Sequence, residues 1–371
     1  MNGTGAERVR WVLAGGGTGG HVTLALALGE EIARCGDPVL FVGSERGLEA
    51  KLVAPAGFEL VTLAAQPLAG RGPAAKLGAL LAFARATRAA IALLRRRRID
   101  VVLSVGGYAA APAAAAAIAL RRPLAIVEPN AVPGRTNLWM ARLAQRVFTA
   151  FAAAEPAFAG RAPVETTGAP LRRALLEAFA AAAPRRTPAP PFRLLVVGGS
   201  QGARQLNDAM LAALPGFDPA RLEVYHQTGP ADRARVAEAY ARAGLQAEVV
   251  DFDAALASRY QWADVALCRA GALTVAELAM AGLPALLVPY PHAADDHQRA
   301  NARALEEAGA GRLLDPARFD AKLLVEALDA LFERPAALLE MGRRARALAR
   351  PDAARRIVEA ARALPGAGRE A

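Results

Sequence analysis

His21 is one of only four histidines in the chain. It follows directly on a glycine run, Gly15-Gly16-Gly17-Thr18-Gly19-Gly20. A neutral imidazole at such a turn can take a proton from an attacking hydroxyl; it can equally cap the helix that follows or touch a phosphate. A second set of candidate groups lies in 264–284. There a short apolar strand, 265–268, turns through Arg269-Ala270-Gly271 into a helix expected from about Leu273 to Ala281 and stopped by Gly282. The open N-terminus of such a helix presents bare N–H groups and partial positive charge, which suit a phosphate or a hydroxyl network. Glu277, expected in the first turn, can accept hydrogen bonds from a ligand diol. The run Thr274-Val275-Ala276-Glu277 also fits an S/T-x-x-E capping box, in which the carboxylate returns to its own helix start.

A third cluster is His292, Asp295, Asp296 and His297, all in one loop. Two imidazoles and two carboxylates admit a metal reading. The competing reading is a polar loop lining a sugar pocket, with Gln298 serving as donor and acceptor at once.

The elements that must position these groups repeat. Apolar runs at 10–14, 39–42, 58–63, 101–105, 123–127, 147–149 and 164–167 read as strands in the first half. Runs at 193–197, 223–226, 247–252, 265–268 and 284–289 read as strands in the second. Gly15, Gly17 and Gly20 satisfy G-x-G-x-x-G between a strand and a helix, where glycine lets the backbone approach a diphosphate. Gly106-Gly107-Tyr108 is a second glycine turn at a helix start. Gly198-Gly199-Ser200-Gln201-Gly202 repeats the G-G-x-x-G spacing of Gly16 to Gly20. Polar residues stand at strand C-terminal ends, at Glu128 and Asn130, at Gln227 and at Asp253, which is where open parallel sheets place ligands. One strand–turn–helix opening per half implies an α/β fold of two Rossmann-like, doubly wound parallel-sheet domains facing across a cleft. The expected division is 1–168, 169–350 and a C-terminal helix within 351–371 that packs back on the first domain. A Pro/Ala-rich segment, 180–191, has the composition of a linker.

Bulk composition narrows the class. With 371 residues and 54% hydrophobic content the chain is globular and too long for one ordinary core. Two cysteines in different halves make no disulfide framework. No signal peptide is expected. The uncharged stretch 101–120 contains Gly106, Gly107 and Pro112, so a strand, turn and buried helix are expected there rather than a membrane span. A net charge of +10 favours acidic partners. Much of it sits in 70–98, where Arg71, Lys76, Arg85, Arg88 and Arg95 to Arg98 interleave with leucines and no acidic residue occurs. This reads as a basic amphipathic helix, either attached to an anionic membrane surface or an ordinary crossover helix with a solvated basic face.

Taken in order, Gly16-Gly-Thr-Gly-Gly-His21, Ser104-Val-Gly-Gly-Tyr108, Glu128-Pro-Asn130 with Gly134 and Asn137, Gly198-Gly-Ser-Gln-Gly-Ala203, Gln227-Thr-Gly229, Cys268-Arg-Ala-Gly-Ala-Leu-Thr-Val-Ala-Glu277 and His297-Gln298 with Asn301-Ala302 span nearly the whole chain. At these residues the sequence resembles the MurG family of UDP-GlcNAc:lipid I N-acetylglucosaminyltransferases. The resemblance implies a GT-B fold and an inverting glycosyltransferase of peptidoglycan synthesis, peripheral at the cytoplasmic face of the bacterial inner membrane. Its expected partners are UDP-GlcNAc, lipid I and the anionic membrane surface, with no nucleic acid; no cofactor and no metal are expected. Carried over, Ser200, Gln201 and Gly202 meet the donor diphosphate. Ala272, Leu273, Thr274, Val275, Ala276 and Glu277 bracket the nucleotide, with Glu277 on the ribose. Asp253 neighbours the uracil, Arg172 contacts the nucleotide, and Gln298 meets the GlcNAc hydroxyls. Thr18, Gly19, Gly20 and Asn130 reach the donor sugar from the other domain. Gly16, Gly17, Gly106, Gly107, Tyr108 and Glu128 line the acceptor side, with His21 as the catalytic base. The chain departs from the usual family pattern at Leu24, Pro129 and Asp253.

Other readings of the same residues are an NAD(P)-dependent oxidoreductase with Glu45 as the ribose acid, a UDP-GlcNAc 2-epimerase, another lipid glycosyltransferase, or a non-catalytic binding protein.

Overall fold

The computed structural model describes residues 8–16, 19–44, 48–64, 73–199, 202–253 and 255–368. Its chain divides into two compact units. Unit 1 runs up to Arg173 and takes in the segment from Pro351 onward; unit 2 is Ala174–Arg350.

In unit 1, the strands β1 (Trp11–Gly15), β2 (Val39–Ser44), β3 (Glu59–Leu63), β4 (Val101–Gly106), β5 (Leu124–Glu128), β6 (Arg146–Thr149) and β7 (Val164–Thr166) form one sheet in the order β3-β2-β1-β4-β5-β6-β7. Every pairing is parallel. β1, β4 and β5 are buried along their whole length. They are therefore apolar runs rather than alternating ones, as a parallel sheet covered on both faces requires. The covering helices are α1 (Gly19–Arg34), the short α2 (Glu49–Leu52), α3 (Pro73–Arg96), α4 (Ala111–Ala119) and α5 (Arg135–Met140). The helix Ala353–Arg362 packs on α1. It buries Ile357, Val358 and Ala361, while Arg362 pairs with Asp37 at 3.1 Å and Arg356 with Glu165 at 2.8 Å.

In unit 2, α6 (Arg173–Ala180) precedes the strands β8 (Phe192–Val197), β9 (Leu222–Gln227), β10 (Gln246–Val250), β11 (Val265–Cys268), β12 (Ala285–Leu287) and β13 (Gly311–Leu313). These pair in parallel in the order β10-β9-β8-β11-β12-β13. The helices are α7 (Arg204–Ala213), α8 (Arg233–Arg242), α9 (Ala257–Trp262), α10 (Ala272–Ala281), α11 (His297–Glu307), α12 (Ala321–Phe332) and α13 (Pro335–Ala347). Phe192 stacks on Phe332 at 4.3 Å in the core between sheet and helices.

Both sheets are doubly wound and parallel, as the repeated openings imply. Each has a switch point where strand order reverses, between β1 and β4 in unit 1 and between β8 and β11 in unit 2. Open α/β sheets bind ligands in the crevice beyond the strand ends at such points. The chain there leaves β1 through Gly15 and Gly16, β4 through Gly106 and Gly107, β8 through Gly198 and Gly199, and β11 through Arg269 to Gly271.

Three elements differ from expectation. β13 has no counterpart in the sequence reading, because Gly-Arg-Leu is too short to show a period. The stretch 284–289 contributes only three residues to the sheet, Ala285–Leu287. α10 begins at Ala272, one residue earlier than expected, because Gly271 is extended and acts as its N-cap. The uncharged stretch 101–120 is β4, a turn and α4. No helix among the described residues is long and apolar enough to cross a membrane.

Candidate functional site

Unit 2 holds a cavity of about 550 Å³ at its switch point. Gly198, Gly199 and Gly202 from the turn after β8 form one wall, Gly271 and Thr274 at the start of α10 another, and Gln298 of α11 a third. The turn is close-packed. Gly202 has φ +74°, and a Cβ there would stand 2.0 Å from the Thr228 carbonyl oxygen. Gln227 fastens it from β9. Its Nε2 donates to the Gly199 carbonyl at 3.2 Å, and its Oε1 accepts from the Asp253 amide at 3.1 Å. Ser200 and Gln201 lie outside the described residues.

Two helices start at this cavity without a side-chain cap. α7 has Ala203 at its N-cap and α10 has Gly271. Apart from the Leu206 amide, which donates to the Ala203 carbonyl at 2.8 Å, their first-turn amides are left to water or to a ligand, and both helix dipoles favour negative charge there. Within the first turns of α10, Ala272 and Val275 are buried, whereas Leu273, Thr274 and Ala276 are partly exposed. The first two can therefore offer a ligand only their backbone.

With Gly271 as N-cap, Thr274 is the third residue of α10 and Glu277 falls in the second turn. That register excludes the capping box, which needs Thr274 itself at the N-cap. The Glu277 carboxylate has another partner, the Tyr260 hydroxyl, which donates to Oε2 at 2.8 Å. Burial pushes the Glu277 carboxyl up to about 7, against the opposing effect of that bond.

Arg269, Gln205 and Tyr290 line the cavity without being among the ligand contacts expected from the sequence. Arg269 donates through Nη1 to Gln205 Oε1 at 3.2 Å and to the Val288 and Pro289 carbonyls at 3.0 Å, and its guanidinium lies 5.6 Å from the Tyr290 ring centre. Burial lowers its pKa. His292 also lines the space. Arg269 follows directly on β11, so its place after a buried strand was the available signal. Gln298 is held by its Oε1, which accepts from the Tyr290 amide at 2.9 Å.

Asp253 lies beyond β10. Its carboxylate accepts from Tyr225 Oη at 2.8 Å and from the Ala255 amide at 2.7 Å. Burial, then the Asp253 bond, raises the Tyr225 phenol to about 12. The metal reading of the 292–297 loop finds no support in the side-chain arrangement. Asp296 pairs with Arg299 at 3.0 Å. Among the described residues no group of three or more His, Cys, Asp or Glu side chains is placed to hold a metal.

In unit 1, His21 is the third residue of α1 and is partly exposed. Gly19 and Gly20 open that helix, and a Cβ on Gly20 would meet nothing within 4 Å. The two glycine turns touch: a Cβ on Gly107, at φ +80°, would stand 2.4 Å from the Gly16 carbonyl oxygen. Tyr108 Oη lies 3.5 Å from Ser44 Oγ at the end of β2. Gly17, Thr18 and the rival ribose acid Glu45 lie outside the described residues.

Glu128 is expected among the acceptor contacts. It is buried, and four donors converge on its carboxylate. Oε1 accepts from the Asn130 amide at 2.9 Å and from Asn130 Nδ2 at 3.4 Å; Oε2 accepts from the Gly134 amide at 2.9 Å and Asn137 Nδ2 at 2.8 Å. A carboxylate offers about four lone-pair sites, and the loop fills them. Glu128 therefore shapes the loop that presents the partly exposed Asn130. Burial raises its pKa against these bonds. Arg172, expected on the nucleotide, belongs to unit 1, where its Nε donates to Glu30 Oε1 at 2.5 Å.

The comparisons with known proteins agree with this geometry. Residues 11–149 match the glycosyltransferase family 28 N-terminal domain and residues 193–357 the glycosyltransferase family 28 C-terminal domain. A UDP-N-acetylglucosamine–N-acetylmuramyl-(pentapeptide) pyrophosphoryl-undecaprenol N-acetylglucosamine transferase of Alkalilimnicola ehrlichii is 44% identical over 92% of this chain and 95% of its own. The enzyme of that name from Geobacter metallireducens is 41% identical over 95% and 97%. Among solved structures, Acinetobacter baumannii MurG superimposes with a TM-score of 0.80 at 31% identity, covering 96% of this chain and all of that one. The chain belongs to the MurG family of glycosyltransferases, within glycosyltransferase family 28.

Proposed function

We propose that the chain transfers GlcNAc from UDP-GlcNAc to the C4 hydroxyl of MurNAc in lipid I, giving lipid II through a β-1,4 bond. The observation that carries this reading is the unit 2 cavity, in which a glycine turn, two uncapped helix starts, Arg269 and Gln298 converge. Bare amides and a guanidinium suit a diphosphate. A side-chain amide, which both donates and accepts, suits sugar hydroxyls. Glu277 accepts from the ribose diol. Asp253 stands beside the base.

The acceptor hydroxyl attacks C1 of GlcNAc in one displacement with inversion. The new C–O bond forms as the bond from C1 to the β-phosphate oxygen breaks. His21 receives the hydroxyl proton. UDP leaves with its charge held by the helix starts and Arg269, so the chemistry needs no metal.

The enzyme works as a peripheral membrane protein on the cytoplasmic face. Support for this comes from α3, where Leu80 and Leu81 are 56% and 53% exposed and Arg85 and Arg88 are exposed on the same helix. Its buried stripe, Ala79, Ala86, Ala90, Leu93 and Leu94, is spent on the unit 1 core, so the exposed leucines are additional to what the fold needs.

Nucleotide titration with thermal unfolding tests the donor assignment. UDP raises the melting temperature and NAD does not; protection by NAD alone overturns it.

A further inference from the structure

We infer that Tyr260 is a positioning residue for the donor ribose: its hydroxyl holds one oxygen of the Glu277 carboxylate and leaves the other to the diol. The inference rests on the assignment of Glu277 to the ribose and adds the group that makes that contact directional.

Tyr260 lies on α9, seventeen residues before Glu277 in sequence. It is buried, with 2% of its surface exposed. Its ring packs edge-on against Phe179 at 6.1 Å, and its carbonyl accepts from Arg185 Nη2 at 2.5 Å. Arg185 also donates to the Ala263 carbonyl at 2.6 Å and the Ala281 carbonyl at 3.0 Å, which ties the end of α9 to the end of α10. Ring, backbone and neighbouring helix are thus all fixed. The phenol has one hydrogen to give and gives it to Glu277 Oε2 at 2.8 Å.

A carboxylate on a helix side has rotatable χ3, so an unheld Glu277 would sample orientations that miss a diol. Donation from Tyr260 selects one, and Oε1 keeps two lone pairs for the two ribose hydroxyls. The ionised carboxylate holds both more strongly, because its bonds are charge-assisted. Tyr260 favours that form by donating to it, while burial opposes it. Donor binding therefore weakens as pH falls below about 7, and Tyr260 keeps that limb from lying higher.

The test is steady-state kinetics of Tyr260→Phe and Glu277→Ala, with UDP-GlcNAc varied across pH 6 to 9. Phenylalanine keeps the ring packing and removes only the hydroxyl. For Tyr260→Phe the donor KM rises about ten- to a hundredfold, the scale of one hydrogen bond to a charged group. Its kcat stays within about twofold, and the acid limb of the donor KM moves to higher pH. Unchanged KM and an unmoved limb in Tyr260→Phe, with KM still raised in Glu277→Ala, overturn the positioning role and leave the ribose assignment standing. An unchanged KM in Glu277→Ala overturns both.

Discussion

Gly202 and Thr228 approach so closely that a Cβ on Gly202 would stand 2.0 Å from the Thr228 carbonyl oxygen. This contact joins the turn after β8 to the end of β9 and fixes the first wall of the donor cavity. At φ +74° only glycine fits without strain, and an added methyl group must push backbone against backbone.

Gly202→Ala is accordingly expected to cost about 1–3 kcal/mol in stability from backbone strain. It should also open the turn, raising the donor KM more than tenfold. Thermal melts with and without UDP check both effects. A variant that keeps full UDP protection would mean that the turn does not hold the diphosphate.

Behind the same turn lies a buried polar chain. His226 Nδ1 is 2.7 Å from Tyr240 Oη, and His226 Nε2 is 3.0 Å from Asn207 Oδ1. Asn207 Nδ2 in turn donates to the Thr228 carbonyl at 3.1 Å and to Asp232 at 2.8 Å. Burial lowers the His226 pKa to about 3 from 6.5. The folded state therefore keeps His226 neutral where the unfolded chain takes a proton. Its stabilisation is present above about pH 6.5 and is lost as pH falls through that value toward 3, by about 1.4 kcal/mol per pH unit. Melting temperature against pH should fall more steeply in wild type than in His226→Gln over this window. Parallel curves would contradict the neutral, buried assignment.

His21→Ala should lower kcat by about 10²–10⁴-fold, the range of general base catalysis, with donor affinity little changed. Single-turnover assays on a lipid I analogue check it. Near wild-type turnover would remove His21 as the base. The same assay after exhaustive chelation tests the metal-free leaving-group step, for which turnover should be retained.

Replacement of Leu80 and Leu81 by serine on α3 should weaken sedimentation with anionic vesicles by tenfold or more without altering the melting temperature. The helix buries its other stripe in the core, while these two side chains face solvent. Binding by the wild-type protein should fall with added salt, since Arg85 and Arg88 contribute long-range attraction. Salt-insensitive binding, or none, would rule out this surface.

Much of this was legible in the sequence because it is local. Gly15 to Gly20 and Gly198 to Gly202 follow apolar runs and precede Ala/Leu-rich helices, so strand, turn and helix can be read in order, and two such openings give two doubly wound sheets. What was not legible is non-local or too short. β13 is three residues and has no period to detect. Glu277 looked like half of a capping box because Thr274 stands at the right spacing; Gly271, extended and one turn earlier, took the N-cap position instead. Its true partner, Tyr260, comes from another helix. Glu128 ends a strand, where a ligand contact is expected, and its hydrogen-bond partners were not legible. The donors that fill its lone pairs stand close by at Asn130, Gly134 and Asn137, but only the fold of that loop turns them inward. Arg269 drew little notice beside the glycine that follows it, and its place in the cavity depends on the carbonyls of Val288 and Pro289 across the sheet.

The central claim is transfer from UDP-GlcNAc to a lipid-linked MurNAc, and the most direct measurement is UDP release by the purified full chain, with and without a lipid I analogue. Release that requires the acceptor and matches GlcNAc incorporated into it, mole for mole, is the predicted result. Release at the same rate without acceptor, or none with both substrates present, would contradict the account.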